Sequence, residues 1–286
     1  MAISDWDRGT LEARIVDDRS RQRHAGGSPD ENELAAYAAA LPPHTDNGTA
    51  LVLGMTPELR RLALQRYRWL VSVDMNPRAI ALYRDWVDPA DRPRERIIEA
   101  DWMELPHLME QPVQAVLGDG VFGNLTEPAA YRRLLHRIAL VLATDGCFVT
   151  RHALIPRGFD PDAYRAEALL QQFRRGEIDE AEFGFGMRLV GHYESCYDPD
   201  TFLLDNACLF RKCEEAHRRG ALSESEHKAI RRYYFAGKNC LLPQARWEEL
   251  LQERGYRFTT HSCRGKSWYF YYVVYSCRFH TQPAEY

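Results

Sequence analysis

Between Thr49 and Asp74 the chain reads TALVLGMTPELRRLALQRYRWLVSVD, an order of residues that few folds accommodate. The apolar run Ala50-Leu51-Val52-Leu53 is too short for a helix and suits a buried strand. It stops at Gly54, and Thr56-Pro57-Glu58 opens a helix, with threonine to cap, proline at the first helical position and an acid at the positive end. Leu59, Leu62 and Ala63 give that helix an inner face, set against Arg60, Arg61 and Arg66. A second apolar run, Trp69-Leu70-Val71-Ser72-Val73, ends in Asp74. The unit is strand, turn, helix, strand. Its turn lies at the carboxyl end of the first strand, and an acid closes the second. Such a unit holds a nucleoside, with backbone and helix amino end around the turn and the carboxylate on the ribose hydroxyls.

A pyrophosphate in that turn requires Gly-x-Gly-x-x-Gly, so that backbone approaches closely and the helix packs tightly. Here the turn is Gly54-Met55-Thr56-Pro57-Glu58-Leu59, with a single glycine and an acid where phosphate would sit. A nucleoside without phosphates fits better. The stretch from Leu53 to Leu59, followed by Val73-Asp74, resembles motif I and the acidic second strand of class I S-adenosylmethionine-dependent methyltransferases. In particular it is similar to a bacterial branch whose first turn reads Leu-Gly-x-Thr-Pro-Glu-Leu. The resemblance implies S-adenosyl-L-methionine as cofactor and S-adenosyl-L-homocysteine as product.

The rest of the expected core follows in order. Met75-Asn76-Pro77 turns into a helix that runs to about Trp86, and Arg96 to Ala100 predicts a third strand closed by Asp101-Trp102. The resemblance implies that this strand end holds the adenine, an acid taking the exocyclic amine and a neighbour covering the ring. Val113 to Leu117 predicts a fourth strand, followed by Gly118-Asp119-Gly120. The glycines let backbone approach the reacting centre, at a strand end beside the point where open parallel sheets bind ligands. The cofactor candidates are Gly54, Met55, Thr56, Asp74, Met75, Asn76, Asp101, Trp102, Gly118, Asp119 and Gly120. Glu127 to Thr144 predicts a long helix stopped by Asp145-Gly146, and Cys147 to Thr150 a fifth strand ending in Arg151-His152. Methyl transfer is an in-line displacement that must align acceptor and methyl and take up any proton the acceptor loses. Asp119 and His152, at adjacent strand ends, are the general-base candidates. Arg151 could hold an acidic group of the substrate, and His152, His192 and Tyr193 are further substrate-side candidates. For each of these the plainer account is a loop hydrogen bond or a surface pair.

These elements predict an α/β chain: a Rossmann-like, seven-stranded, mostly parallel, doubly wound sheet with an antiparallel carboxyl-terminal strand pair and a helical insertion after strand five. Residues 1–45 read as two helices, one with Trp6, Leu11 and Ile15 on a face and one around Glu33 to Ala38; the resemblance places such helices over the cofactor cleft. Residues 46–154 and 243–286 form the core, with Arg257 to Thr260 and Trp268 to Tyr275 as its last strands. Residues 155–242 read as four charged helices, with a capping box at Ser223-Glu224-Ser225-Glu226 opening the last. A lid that selects a small-molecule acceptor is its expected role.

Composition narrows the partners. A net charge of −4 gives no basic face for nucleic acid, and no stretch is long and apolar enough to span a bilayer. The amino terminus lacks an apolar signal core, so the expected location is cytoplasmic and the seven scattered cysteines are expected as free thiols. His192, Cys196, Cys208, Cys213 and His217 lack the closely paired spacing of a zinc site, so no metal is expected. Asn/Asp-Pro-Pro-Tyr/Phe, the mark of enzymes that methylate DNA or protein amides, is absent after strand four. With those substrates disfavoured, the acceptor is expected to be a small molecule, methylated at oxygen, nitrogen or carbon; the resemblance and the expected lid imply bacterial specialised metabolism, and a homodimer is left open. Two rivals stand beside this reading: a non-catalytic, regulatory cofactor-binding protein, and a nicotinamide-dependent reductase.

Overall fold

In the computed structural model, which describes residues 28–42, 45–233, 237–261 and 263–279, the apolar runs become neighbours in one sheet. β1 (Thr45–Leu53) lies between β2 (Tyr67–Asp74) and β4 (Val113–Asp119), with β3 (Glu95–Glu99) outside β2 and β5 (Leu142–Ala153) outside β4; all run parallel. β10 (Tyr272–Phe279) then pairs antiparallel with β5, and β9 (Tyr256–His261) closes the edge, giving the order β3-β2-β1-β4-β5-β10-β9. Parallel neighbours need crossover connections. Helices lie in all four: α2 (Pro57–Arg66) after β1, α3 (Pro77–Tyr83) after β2, a single turn over Leu105–Leu108 after β3 and α4 (Pro128–Val141) after β4, while α1 (Glu31–Ala40) precedes the sheet. The expected helix at Trp6 to Ile15 lies outside the described residues.

Alternation along β1 builds two core layers. Ala50 and Val52 face α1 and α2 with Tyr37, Leu59 and Ala63, whereas Leu51 and Leu53 face α4 and α9 (Gln244–Glu253) with Leu134, Ile138 and Trp247. (The four insertion helices named below take the numbers between.) One expected surface residue is part of this packing. Arg60 is fully buried and grips both Glu95 carboxylate oxygens at 2.7 Å, tying α2 to the start of β3. An arginine on an otherwise polar stripe reads as solvated, and only the adjacent strand supplies the acid that buries it.

Three boundaries differ from expectation. The helix predicted over Glu127 to Thr144 ends at Val141, and Asp145-Gly146 lies inside β5 rather than stopping a helix. There the pairing with β4 jumps from Val113↔Leu142 to Ala115↔Cys147, so a bulge absorbs the residues that looked like a turn. The aromatic run predicted as a strand from Trp268 is a short 3₁₀ turn over Ser267–Phe270, and the strand begins at Tyr272.

The chain leaves the sheet near Ile155 and returns at Pro243, where the two ends bridge each other. Between them stand α5 (Ala166–Arg174), α6 (Glu180–Leu189), α7 (Asn206–Arg218) and α8 (Glu224–Arg231). They share a core of Leu169, Phe183, Leu209 and Ile230 that extends onto Trp268 and Tyr271. α6 and α8 touch closely: a Cβ on Gly184 would stand 2.5 Å from the Ala229 carbonyl oxygen. The capping box expected at Ser223 and Glu226 is present. The insertion is not purely helical, however. β6 (Tyr197–Asp198), β7 (Leu203–Asp205) and β8 (Lys238–Cys240) form a small antiparallel sheet where a helix was expected from Pro199. Phe202 at φ 60° turns the chain into β7, and Asp205 then caps α7 by accepting from the Cys208 amide. Two cysteines expected as free thiols, Cys196 and Cys208, are bonded to each other with Cα atoms 5.7 Å apart; Cys147, Cys213, Cys240, Cys263 and Cys277 are free. Among the described residues no helix is long and apolar enough to cross a membrane.

Candidate active site

The carboxyl ends of β1, β2 and β4 converge because Leu53 pairs with Val73 on one side and Gly118 on the other. Gly54, the next residue, has φ 96°, a left-handed conformation that favours glycine, and its amide donates to the Val73 carbonyl at 2.8 Å. A Cβ there would lie 3.8 Å from Asp74 Oδ2. The other Asp74 oxygen accepts from the Asn76 amide at 2.8 Å, and burial pushes this carboxyl up to about 6. Asn76 is occupied in capping α3, its side chain accepting from the Arg78 and Ala79 amides. Met55 packs against Tyr83, whereas Met75 is exposed. Thr56 stands at the helix start without a side-chain capping bond.

At the next strand end, Trp102 Nε1 donates to the Val73 carbonyl at 2.7 Å, which fixes the indole beside the end of β2. Asp101 Oδ1 caps the following turn through the Met103 amide. Its second oxygen has no hydrogen-bond partner among the described residues. Trp102 thus lies beside the end of β2, which Asp74 closes, and Asp101 directly precedes it.

Across the cleft, Asp119 is not a free carboxylate. Arg151 Nε donates to its Oδ1 at 2.7 Å, and the same buried guanidinium is paired with Glu33 from α1. Burial raises the carboxyls of both Asp119 and Glu33, and the arginine opposes this. The Arg151 guanidinium also lies 4.4 Å from the Tyr272 ring centroid, while Tyr37 Oη donates to the Gly118 carbonyl at 2.6 Å. Gly120, at φ 64°, brings backbone so close that a Cβ would stand 3.0 Å from Tyr272 Oη. Glu33, Tyr37 and Tyr272 were not singled out from sequence. Glu33 and Tyr37 are four apart on α1 and so share a face, but only the tertiary fold supplies Arg151 as the partner of Glu33 and the Gly118 carbonyl as that of Tyr37.

The remaining candidates lie apart from this cluster. His152 follows Arg151 on β5 and so projects to the other side of the sheet. It is buried against Phe122, Tyr131 and Trp247, with the Trp247 ring centroid 4.5 Å away, and neither imidazole nitrogen has a partner among the described residues. Burial alone pushes its pKa down to about 3. A proton acceptor so disfavoured, on the opposite face from Asp119, does not fit the expected base. Tyr193 stacks on Tyr197 and meets Phe159 edge-on within the insertion, and His192 directly precedes the short helix Tyr193–Cys196. Nor is Arg151 open to a substrate acid, since both of its acid partners come from the chain.

The insertion reaches the site by another route. Asn239 of β8 donates to the Gly123 carbonyl at 2.8 Å, and its Oδ1 accepts from Arg188 of α6 at 3.0 Å and from Asn206 at 2.9 Å. One amide therefore ties α6 and α7 of the insertion to the loop that follows Asp119. Besides Asp74, Glu58 at the start of α2 is pushed up to about 7, mainly by desolvation, with the charge of Asp119 adding to it.

No protein-family model matches the chain, and no curated protein matches it in sequence. Solved structures do resemble it. The CcbJ methyltransferase from Streptomyces caelestis superposes with a TM-score of 0.58 at 13% identity, over 96% of this chain and 100% of that one. The glycopeptide N-methyltransferase MtfA, in complex with (S)-adenosyl-L-methionine, gives 0.50 at 15% identity, over 91% and 89%. A protein from Rhodobacter sphaeroides named as a Zn-dependent alcohol dehydrogenase gives 0.51 at 16% identity, over 95% and 98%. At such identities the likeness is one of fold. This chain has the Rossmann-like sheet shared with S-adenosylmethionine-dependent methyltransferases, completed by an antiparallel carboxyl-terminal pair.

Proposed function

We propose that the chain is an S-adenosylmethionine-dependent methyltransferase acting on oxygen, nitrogen or carbon of a small-molecule acceptor. In this reading it works in the cytoplasm, in bacterial specialised metabolism, and residues 155–242 form the lid that selects the acceptor. The observation that carries the cofactor reading is the set of desolvated acids around the turn. Glu58, Asp74 and Asp119 all have carboxyls raised by burial, with Arg151 as the facing cation. A phosphate about 4 Å from one ionised carboxylate costs about 4 kcal/mol at an effective dielectric of 20, and a sulfonium or ammonium gains about as much. That contrast disfavours a nicotinamide dinucleotide and favours a cationic nucleoside.

When bound, the cofactor supplies an electrophilic methyl group. The chain's residues hold and orient. Asp74 would take the ribose hydroxyls, Asp101 and Trp102 the adenine, and Glu58 the cationic methionine end. Arg151 fixes Asp119, and Tyr272 Oη borders Gly120 at the acceptor side, under the lid latched by Asn239. The protein's part is alignment and exclusion of water.

A specific observation favours a second reading, cofactor binding without turnover. Asp119 is engaged by Arg151 and His152 lies on the far face, so neither expected base is free for an acceptor proton. An amine acceptor that arrives with its lone pair available needs no such base.

Calorimetric titration with S-adenosylmethionine, S-adenosylhomocysteine, NADH and NADPH tests the reading. Both sulfur nucleosides should bind, and Asp74→Ala should weaken them by about 10–100-fold, the loss of charge-assisted hydrogen bonds worth about 1.5–3 kcal/mol. At pH 7 the sulfonium form should displace more proton than the homocysteine form, because it favours ionised Glu58. Binding of a nicotinamide nucleotide alone would overturn the proposal. Methyl release from labelled cofactor in an acceptor screen separates the enzyme from the non-catalytic protein.

A further inference from the structure

The insertion carries Glu-x-x-His twice, as Glu214-Glu215-Ala216-His217 near the end of α7 and as Glu224-Ser225-Glu226-His227 at the start of α8. Residues three apart on a helix are neighbours, so each motif presents a carboxylate beside an imidazole. The turn at Gly220 (φ 75°) brings α8 back against α7, and the motifs meet crosswise. His217 Nε2 lies 3.3 Å from Glu224 Oε2, and His227 Nε2 lies 3.1 Å from Glu214 Oε1. The two rings are parallel, with centroids 4.3 Å apart at 2°.

The ring contacts show which atoms are turned inward. His217 Nδ1 lies 3.0 Å from the Leu222 carbonyl oxygen, which can only accept, so that contact uses the Nδ1 proton and leaves the Nε2 lone pair of His217 beside Glu224 as a ligand atom. His217, Glu224 and His227 each offer a ligand atom, and these atoms all lie within 4.8 Å of one another.

We infer that the α7–α8 hairpin is a metal clip: it binds one divalent transition metal, zinc as the reference ion, through His217, His227 and Glu224. Glu214, held by Arg231 at 2.5 Å, lies 3.1 Å from His227 Nε2 and would take the proton there, leaving Nδ1 as the ligand atom of His227, as carboxylates orient ligating imidazoles elsewhere. Two imidazoles and a carboxylate match the preferences of zinc, whose bonds to nitrogen of about 2.0–2.1 Å require the two rings to tilt together. Glu224 is 84% exposed and His217 29%, so the site opens to water, and a further coordination position is left for it. None of the four side chains bonds to a residue of the candidate active site. The clip therefore braces the lid and takes no part in methyl transfer.

The test uses the full chain, stripped with a chelator, desalted and titrated with cobalt as a spectroscopic probe, then displaced by zinc. The inference expects one saturable equivalent and visible cobalt bands without the intense near-ultraviolet band of thiolate ligation. His217→Ala and His227→Ala should each weaken binding by at least about tenfold, and Glu214→Gln by about 10–100-fold. Glu224→Gln, at an exposed position that folding tolerates, should also weaken it. Metal should raise the melting temperature of the wild type and leave His217→Ala unmoved. Absence of a saturable equivalent, or binding unchanged in both histidine variants, would reduce the cluster to crossed ion pairs and overturn the inference.

Discussion

Replacing Arg151 by methionine isolates the interaction that holds the site together. The side chain is buried, contacts Asp119 at 2.7 Å, is paired with Glu33 and lies over Tyr272. Methionine keeps most of the stem and deletes the charge, leaving two carboxylates in a buried space. Removing one partner of a buried pair costs about 3–5 kcal/mol, and one deletion here strands two acids, so the loss at pH 8 should fall in the upper half, about 4–5 kcal/mol. The deficit should depend on pH. Burial raises Glu33 and Asp119 even beside the arginine, and without it both rise further. An acid whose folded pKa exceeds its unfolded one contributes fully below the unfolded value, near 4, and loses that contribution as pH climbs through the folded value. Arg151→Met should therefore come closest to wild type near pH 5 and fall furthest below it at pH 8. At about 2–4 °C per kcal/mol, its melting temperature should drop by about 8–20 °C at pH 8. Circular dichroism melts of both proteins from pH 5 to 8 measure this. A deficit under about 1 kcal/mol, or one that does not vary with pH, would refute the argument. The double variant Asp119→Asn/Arg151→Met should recover part of the loss, because it strands one acid instead of two.

Three further outcomes are expected. His152, held neutral by burial, contributes stability above its unfolded value of about 6.5 and loses it as pH falls toward 3; His152→Phe should therefore gain about 2 kcal/mol on wild type between pH 8 and pH 5, and any methyltransferase activity should survive. An activity lost with the fold intact would restore His152 as a base. Gly184→Ala places a methyl group 2.5 Å from the Ala229 carbonyl and 2.7 Å from the Tyr233 ring. It should cost about 1–3 kcal/mol and loosen the insertion toward limited proteolysis, despite better helix propensity; unchanged melting and cleavage would contradict that close approach. Thiol titration of the unfolded, unreduced chain should find the five free cysteines, and reduction should raise the count to the total of seven. Seven before reduction would remove the Cys196–Cys208 bond.

The parallel half of the sheet was legible because its inner strands β1 and β4 are buried on both faces and read as apolar runs closed by a polar strand end, while the edge strand β3 shows itself only by Ile97-Ile98. Val73-Asp74 and Gly118-Asp119 therefore lie at the strand ends on either side of Leu53-Gly54, and Ala100-Asp101 follows the end of β3. Boundaries failed where one signal serves two structures. Asp145-Gly146 looks like a helix stop, yet it fills a bulge in β5, and the β-prone run at Trp268 first makes a turn. The small sheet of the insertion escaped notice because strands of two or three residues carry no period to detect.

What the sequence determined alone is the part written in local chemistry: a strand ending at a glycine that turns, a helix started by Pro57, an acid at or just after the ends of β2, β3 and β4, and a charged insertion. Which of those groups are free was decided by the tertiary structure. Asp119 is neutralised because β5 brings Arg151 beside it and α1 brings Glu33 to the arginine's other side. His152 leaves the cleft because adjacent residues on a strand face opposite sides of the sheet. His217 and His227 become neighbours only when α8 folds back on α7. Burial, pairing and proton affinity are properties of the surroundings, and for each of these residues the surroundings come from distant parts of the chain.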